Sequence, residues 1–98
     1  MKVKYSSSET TKFLALLIFH CSELMRGVAP DSHSEMVGLN ECIQMTSKQL
    51  IAELGIDDSI GYPREQFVRI LEEKASRYGV TTQLAWAIEH ARGVRRED

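Results

Sequence analysis

An apolar run that would surround a helix on every side constrains the fold of this chain more than any other feature. Residues 13–19 read Phe-Leu-Ala-Leu-Leu-Ile-Phe, without one polar side chain among them. Ser6 and Glu9 have the spacing of a capping box, which predicts that a helix begins here. Gly27 predicts its end near residues 25–26. A surface helix needs only one apolar stripe, so either the other helices enclose this one or one of its sides is left for a partner.

A second helical pattern extends over residues 33–54. A Ser-x-x-Glu capping box begins at Ser32, and Gly55 follows the last apolar position. A further capping-box match, Thr-x-x-Gln, begins at Thr46, so the segment forms either one long helix or two. We favour a break or kink near Met45.

Two more helices are expected in the remainder of the chain. Pro63 stands at the first position of the next helix, where proline is favoured, and Gly79 ends that helix. A threonine at 81 or 82 caps the last helix, which extends over residues 83–92.

These segments predict an all-α fold, a small bundle of four to five short helices. The bundle forms a single domain over residues 1–98, with residues 1–5 and 93–98 expected to be flexible. A chain of this length buries only about 60–65% of its surface on folding. A second copy of the chain could cover the surplus apolar side of the first helix, because twofold dimers are the commonest oligomers. Homodimerisation would then complete the bundle.

The apolar run and the two cysteines help to predict the cellular compartment of the protein. The run is seven residues long, far short of the roughly 20 residues of a membrane span, and no small-x-small cleavage site follows it. Cys21 and Cys42 lie beside apolar residues in helical patterns, which favours buried, reduced thiols over a disulfide framework. We therefore expect a cytoplasmic protein without membrane contact. The redox state of the two thiols stays open.

No arrangement of residues in the sequence predicts a catalytic centre, a metal site or a cofactor site. The histidines and cysteines form neither a CxxC nor an HxxxH pair; they are His20, His33, His90, Cys21 and Cys42. The six glycines are scattered, so the sequence contains no glycine-rich phosphate loop. We expect no enzyme activity, no metal and no cofactor.

Residues 46–55 resemble the first helix and turn of the helix-turn-helix motif in bacterial repressors. The resemblance implies a DNA-binding regulator that uses residues 46–78, which is the alternative function. The sequence departs from the motif where bulky Ile51 occupies its small position, and where an acidic pair at 57–58 would meet DNA. Residues 32–62 hold one lysine against five acidic residues, which disfavours contact with phosphates. Nucleic acid is therefore not the expected partner.

Residues 75–88 resemble the helical hairpin that opens the catalytic domain of lytic transglycosylases. That family places its catalytic glutamate near the end of the second helix, usually before Ser-Gly. The corresponding position here is Arg92, before Gly93, and Glu89 lies about one turn earlier. General-acid catalysis needs a carboxyl group in a cleft, so the expectation of no enzyme activity is unchanged.

Protein–protein binding is the function that these features favour. We predict a small cytoplasmic helical protein, a regulator, inhibitor or adaptor, that acts by binding another protein and forms a homodimer. Apolar side chains of the first helix are the candidates, together with the single tryptophan, a residue enriched in binding hot spots. The candidate interface residues are Phe13, Leu16, Leu17, Phe19, Leu24, Met25 and Trp86.

Overall fold

A computed structural model describes residues 9–56 and 61–93, and helices account for most of them. The helices are α1 (Glu9–Arg26), α2 (His33–Glu53), α3 (Arg64–Tyr78) and α4 (Thr81–Ala91). No strand occurs in the two described ranges, so the predicted all-α bundle is confirmed, with four helices. The predictions for Ser6, for residues 57–58 and for the flexible ends, apart from Gly93, fall outside the described residues.

The four helices form a closed ring of contacts. α1 packs against α2 and α4, and α3 packs against the same two helices. α1 contributes Leu14, Leu17 and Cys21 to the core, each at most 1% exposed. Fully buried side chains from the other helices complete the core; they include Leu39, Cys42, Leu71, Ala75 and Ala87. One side of α1 is therefore covered by its neighbours, while residues on its other side remain exposed.

α2 is one continuous helix, and the predicted break near Met45 is wrong. The Oγ1 of Thr46 donates a hydrogen bond to the carbonyl oxygen of Cys42, 2.7 Å away and one turn earlier in the same helix. A capping threonine would instead accept a hydrogen bond from an N–H ahead of it. Because Thr46 is fully buried, the bond to Cys42 satisfies its hydroxyl inside the helix, and the helix continues through it.

The helix starts differ from the predicted caps. Ser32 holds the N-cap position of α2, but its side chain makes no capping hydrogen bond. Glu35 instead accepts a hydrogen bond from Nε2 of Gln83, in α4, at 2.9 Å. The capping box predicted at Ser32 is therefore wrong, because its glutamate binds another helix. Pro63 is the N-cap of α3 rather than its first residue, and Val80 rather than a threonine is the N-cap of α4.

α2 and α3 end in the same backbone conformation, as their terminal glycines predict. Gly55 and Gly79 have φ values of 78° and 74°, in the left-handed region that glycine adopts at low cost. In α3 the N–H of Gly79 donates to the carbonyl oxygen of Ser76 at 3.2 Å. The N–H of Val80 donates to the carbonyl oxygen of Ala75 at 2.9 Å, which completes a Schellman motif. This motif buries Val80 completely and places the start of α4 directly after α3.

α2 passes very close to the junction of α3 and α4 at Gly38. A Cβ placed on Gly38 would lie 2.5 Å from the Cβ of Tyr78 and 3.1 Å from a γ-methyl group of Val80. One turn earlier, the Oγ of Ser34 donates to the carbonyl oxygen of Tyr78 at 3.2 Å. This approach needs a residue without a side chain, which gives Gly38 a packing role.

Candidate interaction surface

One side of α1 presents exposed residues at alternating spacings of three and four. These residues, which we call the α1 stripe, are Glu9, Lys12, Leu16, Phe19, Glu23 and Arg26. Because an α-helix has 3.6 residues per turn, such positions follow one line along its surface. Leu16 is 41% exposed and Phe19 is 53% exposed. The α1 stripe therefore has an apolar centre between charged ends.

An aromatic cluster joins the α1 stripe to α4; its members are Phe19, His20, Trp86 and His90. Trp86 is 41% exposed and stacks on His90, with ring centroids 3.9 Å apart and ring planes at 30°. The ring centroid of His20 lies 5.7 Å from that of Trp86 and 5.6 Å from that of His90. Phe19 meets His20 edge-on at 5.2 Å. The aromatic surface therefore continues from α1 to α4 without interruption.

The backbone of α4 fixes the orientation of this cluster. The Nδ1 of His90 lies 2.9 Å from the carbonyl oxygen of Trp86, one turn earlier. Because a carbonyl oxygen only accepts, Nδ1 carries a proton and donates it to this hydrogen bond. The imidazole is thereby held against the indole at helical spacing. A Trp86 side chain that is already ordered loses less conformational entropy when a partner covers it.

The structure divides the seven candidate interface residues into three groups. Leu16, Phe19 and Trp86 are exposed large apolar residues on α1 and α4. Leu17 is completely buried in the core and contributes nothing to the exposed surface. The remaining candidates are partly buried and pack against the core; they are Phe13, Leu24 and Met25.

The sequence predictions omit six residues of this surface, of which Glu9 and Arg26 form the charged ends of the α1 stripe. His20 and His90 lie within the aromatic cluster, and Lys12 and Glu23 flank the apolar centre of the α1 stripe. Sequence spacing contained a signal for both pairs. His90 follows Trp86 by four residues, and the alternation of three and four connects Lys12 to Glu23 through the apolar centre.

A cleft of about 540 Å³ opens beside the start of α1. Phe13 and Phe67 form part of its wall, and the guanidinium carbon of Arg92 lies 5.6 Å from the centroid of the Phe13 ring. Glu9 is the one carboxylate among the described residues that line it, and that lining contains no histidine. Among the described lining residues, Glu9 therefore has no second carboxylate and no histidine of the kind that acid–base chemistry commonly pairs with a carboxyl group.

The segment that resembles a helix-turn-helix has a different geometry. Residues 46–53 form the last turns of α2, and a connection of ten residues, 54–63, separates them from α3. Gln49, which is 3% exposed, holds the end of that connection. Its Nε2 donates to the carbonyl oxygen of Tyr62 at 3.0 Å, and its Oε1 accepts from the N–H of Tyr62 at 2.9 Å. The helix-turn-helix motif instead joins its helices by a turn of about three to four residues.

Cys21 in α1 and Cys42 in α2 are both free and both completely buried. Burial, aided by the proximity of Cys42, raises the pKa of Cys21 from its ordinary value of 9.0 to about 12. Burial also raises the pKa of Cys42 to about 11, with Glu41 adding to the increase and Lys74 opposing it. Both thiols therefore stay protonated at neutral pH, and their contribution is that of small core side chains.

Neither a metal centre, a membrane-spanning helix nor a relative indicates a function for the described chain. Residues 9–56 and 61–93 contain no group of three or more His, Cys, Asp or Glu side chains that could hold a metal ion. No helix in the same part of the chain has the length and apolarity needed to cross a bilayer. Comparison with family models, curated proteins and solved structures gave no match. The surface formed by α1 and α4 is the feature from which a function can be inferred.

Proposed function

We propose that this chain is a small cytoplasmic interaction protein, a regulator, inhibitor or adaptor, that acts by binding proteins and forms a homodimer. The observation that carries the proposal is the exposed apolar surface of Leu16, Phe19 and Trp86, each of which is 41–53% exposed. Single exposed apolar residues are ordinary on soluble proteins, whereas a contiguous apolar patch with a polar rim is typical of a binding site. We include a cytoplasmic location in the proposal because free thiols are typical of a reducing compartment.

The composition of the surface supports binding to protein. Its centre is aromatic and aliphatic, and charged residues of the α1 stripe, Lys12 and Glu23, stand at its rim. Protein–protein interfaces have the same arrangement, with tryptophan and other aromatic residues at the centre and charged residues outside it. A second copy of the chain is the partner that we propose for this surface, since an identical patch offers an apolar area to match.

Truncation of Phe19 tests the proposal. Full burial of a phenylalanine side chain contributes about 1.5–3 kcal/mol, and Phe19 is 53% exposed before binding. Phe19→Ser should therefore remove about 1 kcal/mol from each copy, and about 2 kcal/mol from a dimer. The dissociation constant should rise about thirtyfold.

Sedimentation equilibrium over micromolar to sub-millimolar protein measures this dissociation constant. Trp86→Ser should weaken the dimer as Phe19→Ser does. Ile56→Ser is the matched control, because Ile56 is 73% exposed but lies after α2; it should leave the dimer unchanged. A wild-type chain that stays monomeric over this range would overturn the homodimer. A Phe19→Ser variant that is folded by circular dichroism and dimerises like the wild type would overturn the assignment of the surface.

A further inference from the structure

The charged and apolar residues of the α1 stripe form a pattern that is complementary to the same pattern read in the opposite direction along the helix. Its six residues form three pairs, each centred midway between residues 17 and 18: Glu9 with Arg26, Lys12 with Glu23, and Leu16 with Phe19. Two of these pairs join opposite charges and the third joins two apolar residues. All six residues are exposed. A second α1 laid antiparallel about that midpoint would therefore meet an opposite charge at every charged position and an apolar side chain at every apolar one.

We infer that a second copy of the chain binds antiparallel along the α1 stripe, about a twofold axis midway between residues 17 and 18. The inference rests on the proposed homodimer and specifies its geometry. Leu16 then faces the partner's Phe19, and Lys12 faces the partner's Glu23. Helices that pack along positions spaced three and four apart cross at about 20° with axes roughly 8–10 Å apart, which brings these side chains into contact.

Charge excludes the other simple arrangements of two α1 helices. A parallel pair in register would place Lys12 beside the partner's Lys12 and Glu23 beside the partner's Glu23, and like charges repel. An antiparallel pair shifted by seven residues in one direction would press Phe19 against the partner's Glu23, and a shift in the other direction would press it against the partner's Glu9. Either shift desolvates a carboxylate without a cationic partner. The pattern therefore selects both the direction and the register.

The surroundings of the α1 stripe are compatible with this pairing. Within one chain, the Nη1 of Arg26 lies 3.4 Å from the Oε2 of Glu23, and both side chains are exposed. Such an exposed ion pair contributes little to stability, so its members can exchange it for contacts with the partner. Trp86 and His90 stand beside the stripe, where His20 connects them to α1. α4 therefore extends the apolar contact beyond the two facing helices.

Charge reversal tests the register. Lys12→Glu and Glu23→Lys each turn two attractive contacts of the dimer into repulsive ones, so each should raise the dissociation constant about tenfold. The double variant Lys12→Glu/Glu23→Lys restores opposite charges at both contacts. An equal mixture of the two single variants does the same in the heterodimer, where the two reversed residues meet each other. Both should return the dissociation constant to within a factor of about two of the wild-type value.

Two control variants change the net charge by the same amounts away from the α1 stripe. Lys48→Glu on α2 and Glu72→Lys on α3 both replace exposed residues and should leave the dissociation constant unchanged. Circular dichroism of each variant verifies folding. If Lys12→Glu and Glu23→Lys each dimerise like the wild type, the antiparallel register is overturned. That result is expected of a parallel pair, in which each substitution replaces one like-charge contact with another. The register is also overturned if neither the mixture nor the double variant recovers the wild-type dissociation constant. In either case the Phe19→Ser result decides separately whether the apolar surface forms the dimer.

Discussion

Replacing Gly38 with alanine sets two opposing contributions to the free energy of unfolding against each other. Alanine is favoured over glycine in a helix interior by about 1 kcal/mol, so helix propensity alone predicts a more stable α2. The structure predicts the opposite, because the new Cβ would lie 2.5 Å from the Cβ of Tyr78. That distance is about 1 Å shorter than an ordinary carbon–carbon contact. Overpacking of this kind costs about 1–3 kcal/mol.

The steric cost should prevail, because neither neighbour of Gly38 can move easily. The Cβ of Tyr78 is bonded directly to the backbone at the end of α3, and Val80, whose γ-methyl groups would lie 3.1 and 3.2 Å away, is fully buried. With a cost in the upper part of that range, less the propensity gain, we expect a net loss of about 1–2 kcal/mol. For a domain of this size the melting temperature should fall by about 4–16 °C.

Urea and thermal unfolding followed by far-ultraviolet circular dichroism measure this change. Gly27→Ala is the matched control, since a Cβ on Gly27 would meet only the carbonyl oxygen of Leu24, at 3.8 Å. Its φ is not positive, so the control should equal the wild type or exceed it slightly. A Gly38→Ala protein as stable as the wild type would refute the close approach of α2 to the junction of α3 and α4.

Two further predictions concern buried side chains. Gln49→Ala removes both hydrogen bonds to the backbone of Tyr62 and should lower the free energy of unfolding by about 1–3 kcal/mol in urea titrations; an unchanged midpoint would contradict the role of Gln49. The two buried thiols make their full contribution to the free energy of unfolding below pH 9, where they are protonated both in the folded and in the unfolded chain. That contribution should be lost as pH rises toward about 11 and about 12, because the unfolded chain releases the protons near pH 9 while folded Cys42 and Cys21 retain them. Urea midpoints measured above pH 8 should show this decline, and Cys21→Ala should make it shallower; an equally steep decline in that variant would argue against the thiols as its cause.

Features encoded within a few neighbouring residues could be predicted from the sequence. Gly79 ends α3 as predicted, because the left-handed conformation it adopts is available to glycine wherever a helix must stop. The capping box predicted at Ser32 fails because tertiary packing gives its glutamate another partner, and the cap predicted at Thr46 fails because the Thr46 hydroxyl donates to the carbonyl oxygen of Cys42 within α2. Glu35, which would complete the first capping box, binds Gln83, 48 residues later in the chain. No local pattern contains that information.

The interaction surface could be predicted only in part. The middle of α1, residues 13–19, is apolar around its whole circumference, so periodicity cannot distinguish Leu17, which is completely buried, from Leu16, which is 41% exposed. The positions of α2 and α4 decide which side is covered. The spacing of Lys12 and Glu23 is visible in the sequence, but its meaning depends on knowing that their side of α1 is exposed.

The ring of helices closes through one helix pair whose members are not consecutive along the chain. Three of its helix pairs are consecutive along the chain, whereas α1 and α4 meet across the whole of α2 and α3. Closing that long loop costs more entropy than forming a local pair, so we expect this contact to form late in folding and to open early. Trp86 reaches His20 only across the α1–α4 contact. The part of the proposed binding surface that α4 contributes would then exist only after ring closure, and a chain with all four helices formed but α4 undocked would be helical yet would lack Trp86 beside the α1 stripe.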